Sequence, residues 1–577
     1  MATIKLADYL FTRLRQLGVE SVHGVPGDYN LELLDYVEPA GLQWVGNANE
    51  LNAAYAADGY GRIKGISAVV TTFGVGELSA INAIAGAYTE FSPIVHIVGV
   101  PSRTAQDTRA HVHHTFNDGE YGRFAQMHAH VTAAQTRLYD PQTSAEQIDS
   151  VLQQCLIHHR PVYLQVPVDL VAVPLSTERL AIPITLPPLL PSVAATADVI
   201  AKRILDAIYA AKQPYVLIDG EIRPLGIVEE VQTFLDIVQW PTFVTPFGKG
   251  LVAEGRPYFH GIEKGKFGEV SVQNFITNAD LVLDFGPHNS STNTFYHTST
   301  PKADVTISFT PQGTQFRTEP EIVRDVPVKA VLKSLLKEID AKRSSSVYSN
   351  AYPAGLARDQ IVSVNELPAP DSIITQDKLW RFAAHFLRED DIVMGETGTA
   401  GYGVREMLLP ARARFFTPVT WLSIGYMLPA AQGAALAKLE QQKLGAQESG
   451  ARTILFIGDG SFQMTAQELS TIIRLNLNVI VFLVNNNGYT IERCIHGRKQ
   501  GYNDVANWRY LEAPSFFGAD KDAFVSSART WGELQAVLQD DRLVNGKGLR
   551  MVEIHLEVED APLGNLRHLL EMQKGRE

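Results

Sequence analysis

The stretch at positions 453–492 constrains the fold most, because two short apolar runs in it flank a helical pattern. The runs at 454–457 and 479–484 predict buried strands, and the apolar residues between them recur at helical spacing. Strands joined by a helix lie parallel in one sheet. Asp459 and Asn486 directly follow the two strands, so we expect both at the sheet edge where α/β proteins bind ligands.

The side chains expected at this edge have the chemistry of a metal–phosphate site. The carboxylate of Asp459 and the amide oxygen of Asn486 are hard ligands, which Mg²⁺ binds together with phosphate oxygens and water. Gly458 and Gly460 allow the backbone to approach a phosphate closely. Two ordinary strand-to-helix turns are the alternative interpretation, since Asp, Asn and Gly are common turn residues.

The two turns together are more specific than either one alone. Gly-Asp-Gly and, 27 residues after its Asp, the middle residue of Asn-Asn-Asn-Gly resemble the diphosphate-binding motif of thiamine diphosphate (ThDP) enzymes. The resemblance implies that Asp459, Asn486 and the backbone carbonyl of Gly488 bind Mg²⁺, which holds the diphosphate of ThDP. It also places further residues against the cofactor, namely Gly458, Gly460 and Ser461.

Strand and helix patterns alternate along most of the chain, which predicts a doubly wound α/β fold with mainly parallel sheets. We expect three domains, at 1–180, 196–340 and 373–577. The resemblance identifies the first as pyrimidine-binding and the third as diphosphate-binding. A proline-dense segment at 171–195 and a segment rich in Ser, Pro and Ala at 341–372 are predicted linkers. No repeat of fixed period is seen, so the sequence leaves open whether the outer domains share a fold.

The composition excludes several classes of protein. The net charge of −13 argues against nucleic acid or an anionic membrane as a partner. No apolar run reaches the roughly 18 residues of a membrane span. Only two cysteines occur, Cys155 and Cys494. They exclude a disulfide framework and indicate a reducing compartment, so we expect a cytoplasmic protein. Asp8 argues against an N-terminal transit peptide.

Glu50 lies in the segment NANELNAAYAADGYGR, directly after a predicted strand. One interpretation is a capping box, in which Asn47 caps the helix and Glu50, three residues on, bonds back to it. The segment also resembles the one that supplies the activating glutamate of ThDP enzymes. By that resemblance, the Glu50 carboxyl bonds N1′ of the aminopyrimidine and favours the imino tautomer, whose 4′-nitrogen removes the proton from thiazolium C2.

Two adjacent histidines, His113 and His114, lie in AHVHHTF. Together with His111 they could indicate a metal, but the spaced Cys, His or carboxylate of a zinc site is not apparent nearby in the sequence. A solvated loop is another alternative. The pair resembles the His-His signature of ThDP-dependent 2-oxo acid decarboxylases, in which one histidine belongs to a proton relay and the other orients the cofactor and intermediate. Histidine suits proton transfer near neutral pH.

Two carboxylates complete the candidate catalytic set. Asp28, in HGVPGDYN, has the position of a helix N-cap, and Glu492, in GYTIE, could be an exposed helical residue. The family places a catalytic carboxylate at each position. The residue matching Asp28 protonates the enamine or assists product release, and the one matching Glu492 lies beside the substrate.

Two further segments resemble cofactor contacts of the family. TTFGVGELS mimics a phosphate loop but has no following Lys, and it resembles the loop that seats the pyrimidine end, with Thr72 as the cofactor contact. Ile424 resembles the bulky residue that wedges ThDP into its bent shape. Leu422 stands where many relatives have Gly. Because the family contact there is a backbone carbonyl, we expect that contact to survive.

The resemblance also implies where the substrate side chain lies. The matching positions in ETGTAGYG and PHNSSTNTF are Gly401 and Ser290, where relatives often carry bulky residues. Ile491 and Ile495 are expected as apolar walls near Glu492. Small residues at two lining positions favour a pocket that accepts branched or aromatic 2-oxo acids alongside pyruvate.

Seven segments occur in the family's order, so the chain resembles the ThDP-dependent 2-oxo acid decarboxylases, particularly the fungal-type pyruvate decarboxylases. This implies non-oxidative decarboxylation of a 2-oxo acid to an aldehyde and CO₂ through a ThDP enamine, with Mg²⁺. It also implies a homodimer or homotetramer, with Glu50 on one chain and Asp459 on another. A ThDP carboligase and a non-catalytic assembly protein on the same scaffold remain as alternatives.

Yeast-type members of the family are activated by substrate, an effect attributed to a cysteine in the middle domain. The matching stretch here, VLIDGEIRP, has no cysteine. We therefore expect any sigmoidal kinetics of this chain to be independent of a middle-domain thiol.

Overall fold

A computed structural model describes residues 2–316, 319, 322–341, 343, 356, 361–443, 445 and 450–575. Three large sheets, each covered by helices, follow one another along the chain. Most of their strands are parallel, which confirms the predicted α/β fold class. No helix in the described ranges combines the length and the apolar character that crossing a membrane requires.

The two outer sheets have the same topology. Numbered in chain order within each sheet, their six strands lie side by side as 2-1-3-4-6-5. In the first sheet the neighbours are, in order, Gln43–Trp44, Ser21–Gly24, Ser67–Thr72, Ile94–Val100, Val162–Pro167 and Ala134–Arg137. In the third they are Arg414–Phe416, Ile392–Gly395, Thr453–Gly458, Val479–Asn485, Arg550–His555 and Val525–Ala528. The structure thus answers the question that the sequence left open: the outer domains share a strand order.

The middle sheet has seven strands. The first five in spatial order pair in parallel, and each of the last two pairs antiparallel with the strand before it. They lie in the order Phe259–Ile262, Thr242–Val244, Pro214–Ile218, Leu281–Phe285, Thr306–Thr310, Gly313–Phe316 and Ile322–Val323.

The central strands of the outer sheets are buried along their whole length, as in Ile94–Val100 and Val479–Asn485. Helices cover both faces of a parallel sheet, which is why such strands read as continuous apolar runs. The α-helices of the first domain are Leu6–Gln16, Leu31–Leu34, Glu50–Lys64, Val75–Thr89, Arg103–Asp107, Arg123–His128 and Pro141–His158. Those of the middle domain are Pro191–Ala210, Val228–Val238, Val270–Thr277 and Val328–Glu338. Those of the third are Gln376–Ala383, Thr399–Val404, Met427–Lys443, Asp459–Thr465, Leu469–Arg474, Thr490–Ile495, Ala513–Phe516, Trp531–Gln539, Asp541–Val544 and Asn565–Lys574.

The outer domains pack through two helices, Glu50–Lys64 and Met427–Lys443, whose backbones touch. A Cβ at Gly59 would lie 2.0 Å from the carbonyl oxygen of Ala430, so only glycine fits there. Nearby, the Tyr60 hydroxyl donates a 2.6 Å hydrogen bond to Glu440 on the other helix. This close crossing fixes the helix whose first residue is Glu50 against the diphosphate-binding domain.

The proline-dense segment at 171–195 is more ordered than a surface linker. Pro174–Ser176 forms an antiparallel strand with Thr3–Lys5. Pro191 begins the helix Pro191–Ala210, because a first-turn proline lacks only an N–H that has no partner within the helix. The predicted linker therefore shortens to residues 183–190, which have no helix or strand and are mostly exposed. Of the other predicted linker, at 341–372, residues 342, 344–355 and 357–360 lie outside the described part.

Candidate active site

The diphosphate edge is built by two neighbouring parallel strands, Thr453–Gly458 and Val479–Asn485. Asp459 begins the helix after the first strand, and Asn486 follows the second. Asp459 accepts hydrogen bonds from the backbone N–H groups of Gly460, at 2.8 Å, and Gly488, at 3.0 Å. The two turns that the sequence pattern singled out thus meet directly.

The oxygens at this edge fit a divalent cation. Asp459 is almost fully buried, and burial raises its pKa to about 6 although four peptide N–H groups favour the charged form. The Oδ1 atom of Asn486 is buried and has no hydrogen-bond partner among the described residues. The Gly488 carbonyl accepts one bond, from Thr490 N, and keeps a second lone pair. A carboxylate, an amide and a carbonyl oxygen are the donors that Mg²⁺ prefers.

The two glycines at the start of the helix Asp459–Thr465 differ in how much space surrounds them. A Cβ at Gly458 would face open space, whereas one at Gly460 would lie 2.4 Å from the ring of Tyr489. Ser461 donates a 3.3 Å hydrogen bond to the carbonyl of Thr397, which joins this helix to the neighbouring loop. Free peptide N–H groups at a helix start suit a phosphate.

Glu50 is the first residue of its helix rather than the third, so the capping box with Asn47 is not formed. Asn49 is the N-cap, and its side chain accepts from Asn52 N at 2.8 Å. The Asn47 amide instead donates a 2.7 Å bond to Glu468 of the third domain. The Glu50 carboxyl is left free to act on a ligand.

Small residues line the space around this carboxyl. A Cβ at Gly76 would lie 3.0 Å from Glu50 Oε1 and 3.1 Å from Thr72 Cγ2. A Cβ at Gly27 would lie 2.6 Å from Thr72 Cβ. The hydroxyl of Thr72 is buried and has no partner in the part of the chain that the structure describes. A carboxyl and an unpaired hydroxyl between glycines fit a flat heterocycle with polar edges.

The fold brings Asp28 to the two histidines, 85 residues along the chain. Asp28 Oδ2 forms a short hydrogen bond with His113 Nε2, and Asp28 Oδ1 lies 3.9 Å from His114 Nε2. Tyr29 stacks on the His113 ring at a centroid distance of 5.0 Å. Asp28 is not the N-cap of the following helix, a position that Asn30 holds. Its carboxylate contacts the two histidines instead.

The same three side chains could also present ligands to a metal ion. One ligand atom from each of Asp28, His113 and His114 lies within 4.8 Å of the others, and His111 takes no part. Sequence spacing missed the carboxylate because it comes from a distant loop. The cluster is open to solvent in the single chain, since the side chains of His113 and Asp28 are 59% and 46% exposed.

Glu77 holds the backbone segment on which the histidine loop packs. The sequence analysis missed this residue. A Cβ at Gly74 would lie 2.2 Å from the carbonyl oxygen of His114, so the two backbones are in contact. Gly74 N donates to Glu77 at 2.8 Å, and the Tyr163 hydroxyl donates to Glu77 at 2.6 Å. Burial raises the pKa of Glu77 to about 7. The signal was present: a Glu three residues after Gly74 at a helix start is a capping pattern.

The loop around Ile424 is held by side chains of the first domain. Ser423 accepts hydrogen bonds from the Tyr55 hydroxyl, at 2.7 Å, and from Asn82, at 3.1 Å. Leu422 has a φ of 55°, in the left-handed region that glycine adopts more readily. The backbone therefore keeps the conformation of a glycine loop although the residue is leucine.

The predicted substrate-lining residues differ in their surroundings. Glu492 is exposed on the helix Thr490–Ile495. Ile491 packs against a buried cluster that includes Leu566 of the C-terminal helix, and Ile495 is half exposed. The assignment of both isoleucines to the walls of one substrate pocket stays a prediction; in the single chain Ile491 packs toward the C-terminal helix.

Gly401 does not open toward a cavity. It is buried in the helix Thr399–Val404, and a Cβ there would lie 2.6 Å from the carbonyl oxygen of Glu396. The assignment of Gly401 to the substrate pocket stays a prediction, and on this backbone a larger side chain at position 401 would have to displace the Glu396 carbonyl. Ser290 is half-buried in a loop whose Thr292 and His288 contact the third domain.

We expect alkylating reagents to leave the dependence of the reaction rate on substrate concentration unchanged in the native protein. Cys155 and Cys494 are both buried and free. Burial raises the pKa of the Cys494 thiol to about 12 and that of Cys155 further, so little reactive thiolate forms near neutral pH. Rates against substrate concentration, with and without N-ethylmaleimide, measure this. Unfolded protein, in which both thiols should react, is the control, and loss of sigmoidality in the native enzyme would contradict the prediction.

Comparisons with known proteins place the three domains in one family. Residues 4–121 match the "Thiamine pyrophosphate enzyme, N-terminal TPP binding domain", residues 201–339 its central domain and residues 397–554 its C-terminal TPP binding domain. A pyruvate decarboxylase of Aspergillus parasiticus is 50% identical over 97% of this chain and 96% of its own length. One from Aspergillus fumigatus is 41% identical over 97% and 95%. Pyruvate decarboxylase isozyme 1 of Saccharomyces cerevisiae is 38% identical over 97% of both chains.

Proposed function

Since the chain belongs to the thiamine pyrophosphate enzymes and is a 2-oxo acid decarboxylase similar to the fungal pyruvate decarboxylases, we propose that it holds ThDP through Mg²⁺ at a site shared by two subunits. The buried, unpaired Oδ1 of Asn486 beside Asp459 carries the proposal of a metal. An amide oxygen without a partner costs free energy unless a ligand reaches it. A divalent cation would use it together with Asp459 and the Gly488 carbonyl.

When bound, ThDP supplies the carbanion that attacks the ketone and takes up the electrons as CO₂ leaves. The chain's own residues bind it and manage protons. We assign Glu50 to hold a proton at N1′ of the aminopyrimidine, with Thr72 beside it. The helix start at Gly458, Gly460 and Ser461 would hold the diphosphate, and Ile424 would press against the cofactor.

The cluster of Asp28, His113 and His114 is assigned to proton transfer after CO₂ leaves. The hydrogen bond between His113 Nε2 and the Asp28 carboxylate links an acceptor to an imidazole, and an imidazole can pass a proton near neutral pH. Glu492 is the carboxylate assigned to the substrate side. Two histidines and two carboxylates that return a proton favour release of an aldehyde over capture by a second carbonyl.

The exposure of this cluster supports assembly as at least a homodimer, with a homotetramer as the larger form. Catalytic groups that work in a water-poor site need a cover, and His113 is 59% exposed in the single chain. A second copy can supply the diphosphate edge that faces them. Two free cysteines support a cytoplasmic location.

Product analysis tests the function. The purified chain with ThDP and Mg²⁺ should release CO₂ and an aldehyde from pyruvate in equal amounts, and EDTA should stop both. A 2-hydroxyketone formed in place of the aldehyde would favour the carboligase. No turnover of any 2-oxo acid in a protein that binds ThDP would favour a non-catalytic assembly role.

We expect phenylpyruvate and branched 2-oxo acids to be substrates as well as pyruvate. Ser290 leaves room where relatives have bulky residues, and each CH₂ that a larger substrate buries is worth roughly 0.8 kcal/mol. Ser290→Phe should therefore lower kcat/KM for phenylpyruvate at least about tenfold more than for pyruvate.

Ser291→Phe is the matched control, because the neighbouring Ser291 is exposed and the same side chain is added there. An unchanged ratio of kcat/KM values in Ser290→Phe would show that Ser290 does not line the pocket. A wild-type enzyme that turns over pyruvate but not phenylpyruvate would contradict the proposed range.

A further inference from the structure

Glu396 is a buried carboxylate that lies between two segments of the proposed cofactor site. It directly follows the strand Ile392–Gly395 and is fully inaccessible to solvent. One oxygen accepts from Thr397 N at 2.7 Å, and the other accepts from Met427 N at 2.8 Å. The N–H of Gly425 also bonds to this carboxylate. Burial raises the pKa of Glu396 to about 7, while these peptide donors favour its charged form.

The peptide groups it binds belong to the loop that carries Ile424. We call residues 421–427 the wedge loop. Its first part is held by the first domain, through Ser423. Its second part bends at Gly425, which has a φ of 89° and whose Cβ position would lie 2.6 Å from Met464 Cβ. Glu396 binds this second part at Gly425 and Met427, on the C-terminal side of Ile424.

The same carboxylate is connected to the helix Asp459–Thr465 on the diphosphate side. The Thr397 carbonyl accepts from Ser461, and the Gly425 carbonyl accepts from Thr465 at 2.7 Å. Thr397 and Gly425, two of the three residues whose N–H groups bond to Glu396, are thus also bonded to that helix through their carbonyl oxygens. Displacing the carboxylate would leave the wedge loop joined to the helix through the Gly425–Thr465 bond without the support of Glu396, and so would loosen the loop.

We propose that Glu396 is a positioning residue that fixes the wedge loop relative to the diphosphate helix, and that it thereby sets the affinity for ThDP but not for diphosphate alone. The inference rests on the proposed contact of Ile424 with the cofactor. A carboxylate is needed because both of its oxygens are acceptors. An amide would turn an NH₂ group toward one of the peptide N–H groups, which leaves two donors facing each other in a buried site.

The test uses the full-length apoprotein with Mg²⁺. ThDP is titrated and binding is followed by tryptophan fluorescence, since Trp421 lies in the wedge loop and is 44% exposed. Glu396→Gln should raise the Kd for ThDP at least about tenfold. The Kd for inorganic diphosphate, measured by calorimetry, should change less than about twofold, because the helix that binds it is left in place.

Glu263→Gln is the matched control. Glu263 is also buried, has a pKa raised by burial to about 7 and accepts a peptide N–H, but it lies in the middle domain. The Glu263→Gln substitution should lower the melting temperature without changing the Kd for ThDP or for diphosphate. If Glu396→Gln does not fold, Glu396→Asp keeps both acceptors on a shorter side chain and should show the same selective loss.

The outcomes separate this inference from the proposed function. Wild-type protein that binds inorganic diphosphate but gains nothing from the rest of ThDP would contradict the proposed function. Wild-type binding of ThDP with an unchanged Kd in Glu396→Gln would overturn the role of Glu396 alone. Equal losses for ThDP and diphosphate would overturn it as well, because they would indicate a general structural defect.

Discussion

Replacing Glu50 by Gln is expected to slow exchange of the C2 proton of bound ThDP by at least about a hundredfold, the lower end of what one acid–base group contributes. Glutamine keeps the size of the side chain but cannot share a proton with N1′ of the aminopyrimidine. The Gly76 backbone lies close to the carboxyl, since a Cβ built at Gly76 would be 3.0 Å from Glu50 Oε1. Because glutamine has nearly the same size as glutamate, a slower exchange of the C2 proton reports loss of the shared proton and not a change in the shape of the pocket. Quenched-flow exchange into deuterium oxide, read by NMR of the released cofactor, measures it.

Glu492→Gln is the control with the same chemical change at the substrate side. It should exchange the C2 proton at the wild-type rate and stop at a later step, as should His114→Ala. Both variants must bind ThDP with nearly unchanged affinity for the comparison to hold. Wild-type exchange in Glu50→Gln would mean that another group holds the proton at N1′, and the assignment of the activating glutamate would be wrong.

The local parts of the site were predictable from sequence because they depend on neighbours in the chain. Buried parallel strands require continuous apolar runs, so 454–457 and 479–484 were recognisable as strands. Adjacent parallel strands end at one edge, which brought Asp459 and Asn486 together. The resemblance to a family then supplied roles that the residue types alone left open, as for Glu50.

The parts that were not predictable depend on contacts between distant segments. Asp28 had the sequence context of a helix cap, but its partner is His113, 85 residues away. Gly401 was assigned to the substrate pocket from the resemblance, and only the backbone shows that a Cβ there would lie 2.6 Å from the Glu396 carbonyl oxygen. Pro174 forms a strand because the chain's first residues pair with it. Spacing and composition do not encode these contacts.

Asp459→Ala is expected to weaken ThDP binding in the presence of Mg²⁺ by well over about a hundredfold, since removing even an indirect partner of a metal commonly costs that much. Two peptide N–H groups lose their acceptor as well, so the melting temperature of the apoprotein should fall moderately. Asp284→Ala removes another buried aspartate, in the middle domain, and serves as the control for that structural cost. Tight ThDP binding by Asp459→Ala, insensitive to EDTA, would contradict the metal assignment.

Combining the two inactive variants tests whether each site is shared between subunits. Glu50→Gln and Asp459→Ala chains, unfolded together in equal amounts and refolded with ThDP and Mg²⁺, should regain activity although neither is active by itself. Random pairing makes about half of the dimers mixed. In each mixed dimer one of the two sites combines an intact Glu50 with an intact Asp459. About a quarter of all sites should therefore be active. If Glu50 and Asp459 of the same chain formed the site, every site would lack one of them and no activity would return. Recovery near a quarter would therefore place the exposed Asp28, His113 and His114 opposite the diphosphate edge of a second copy.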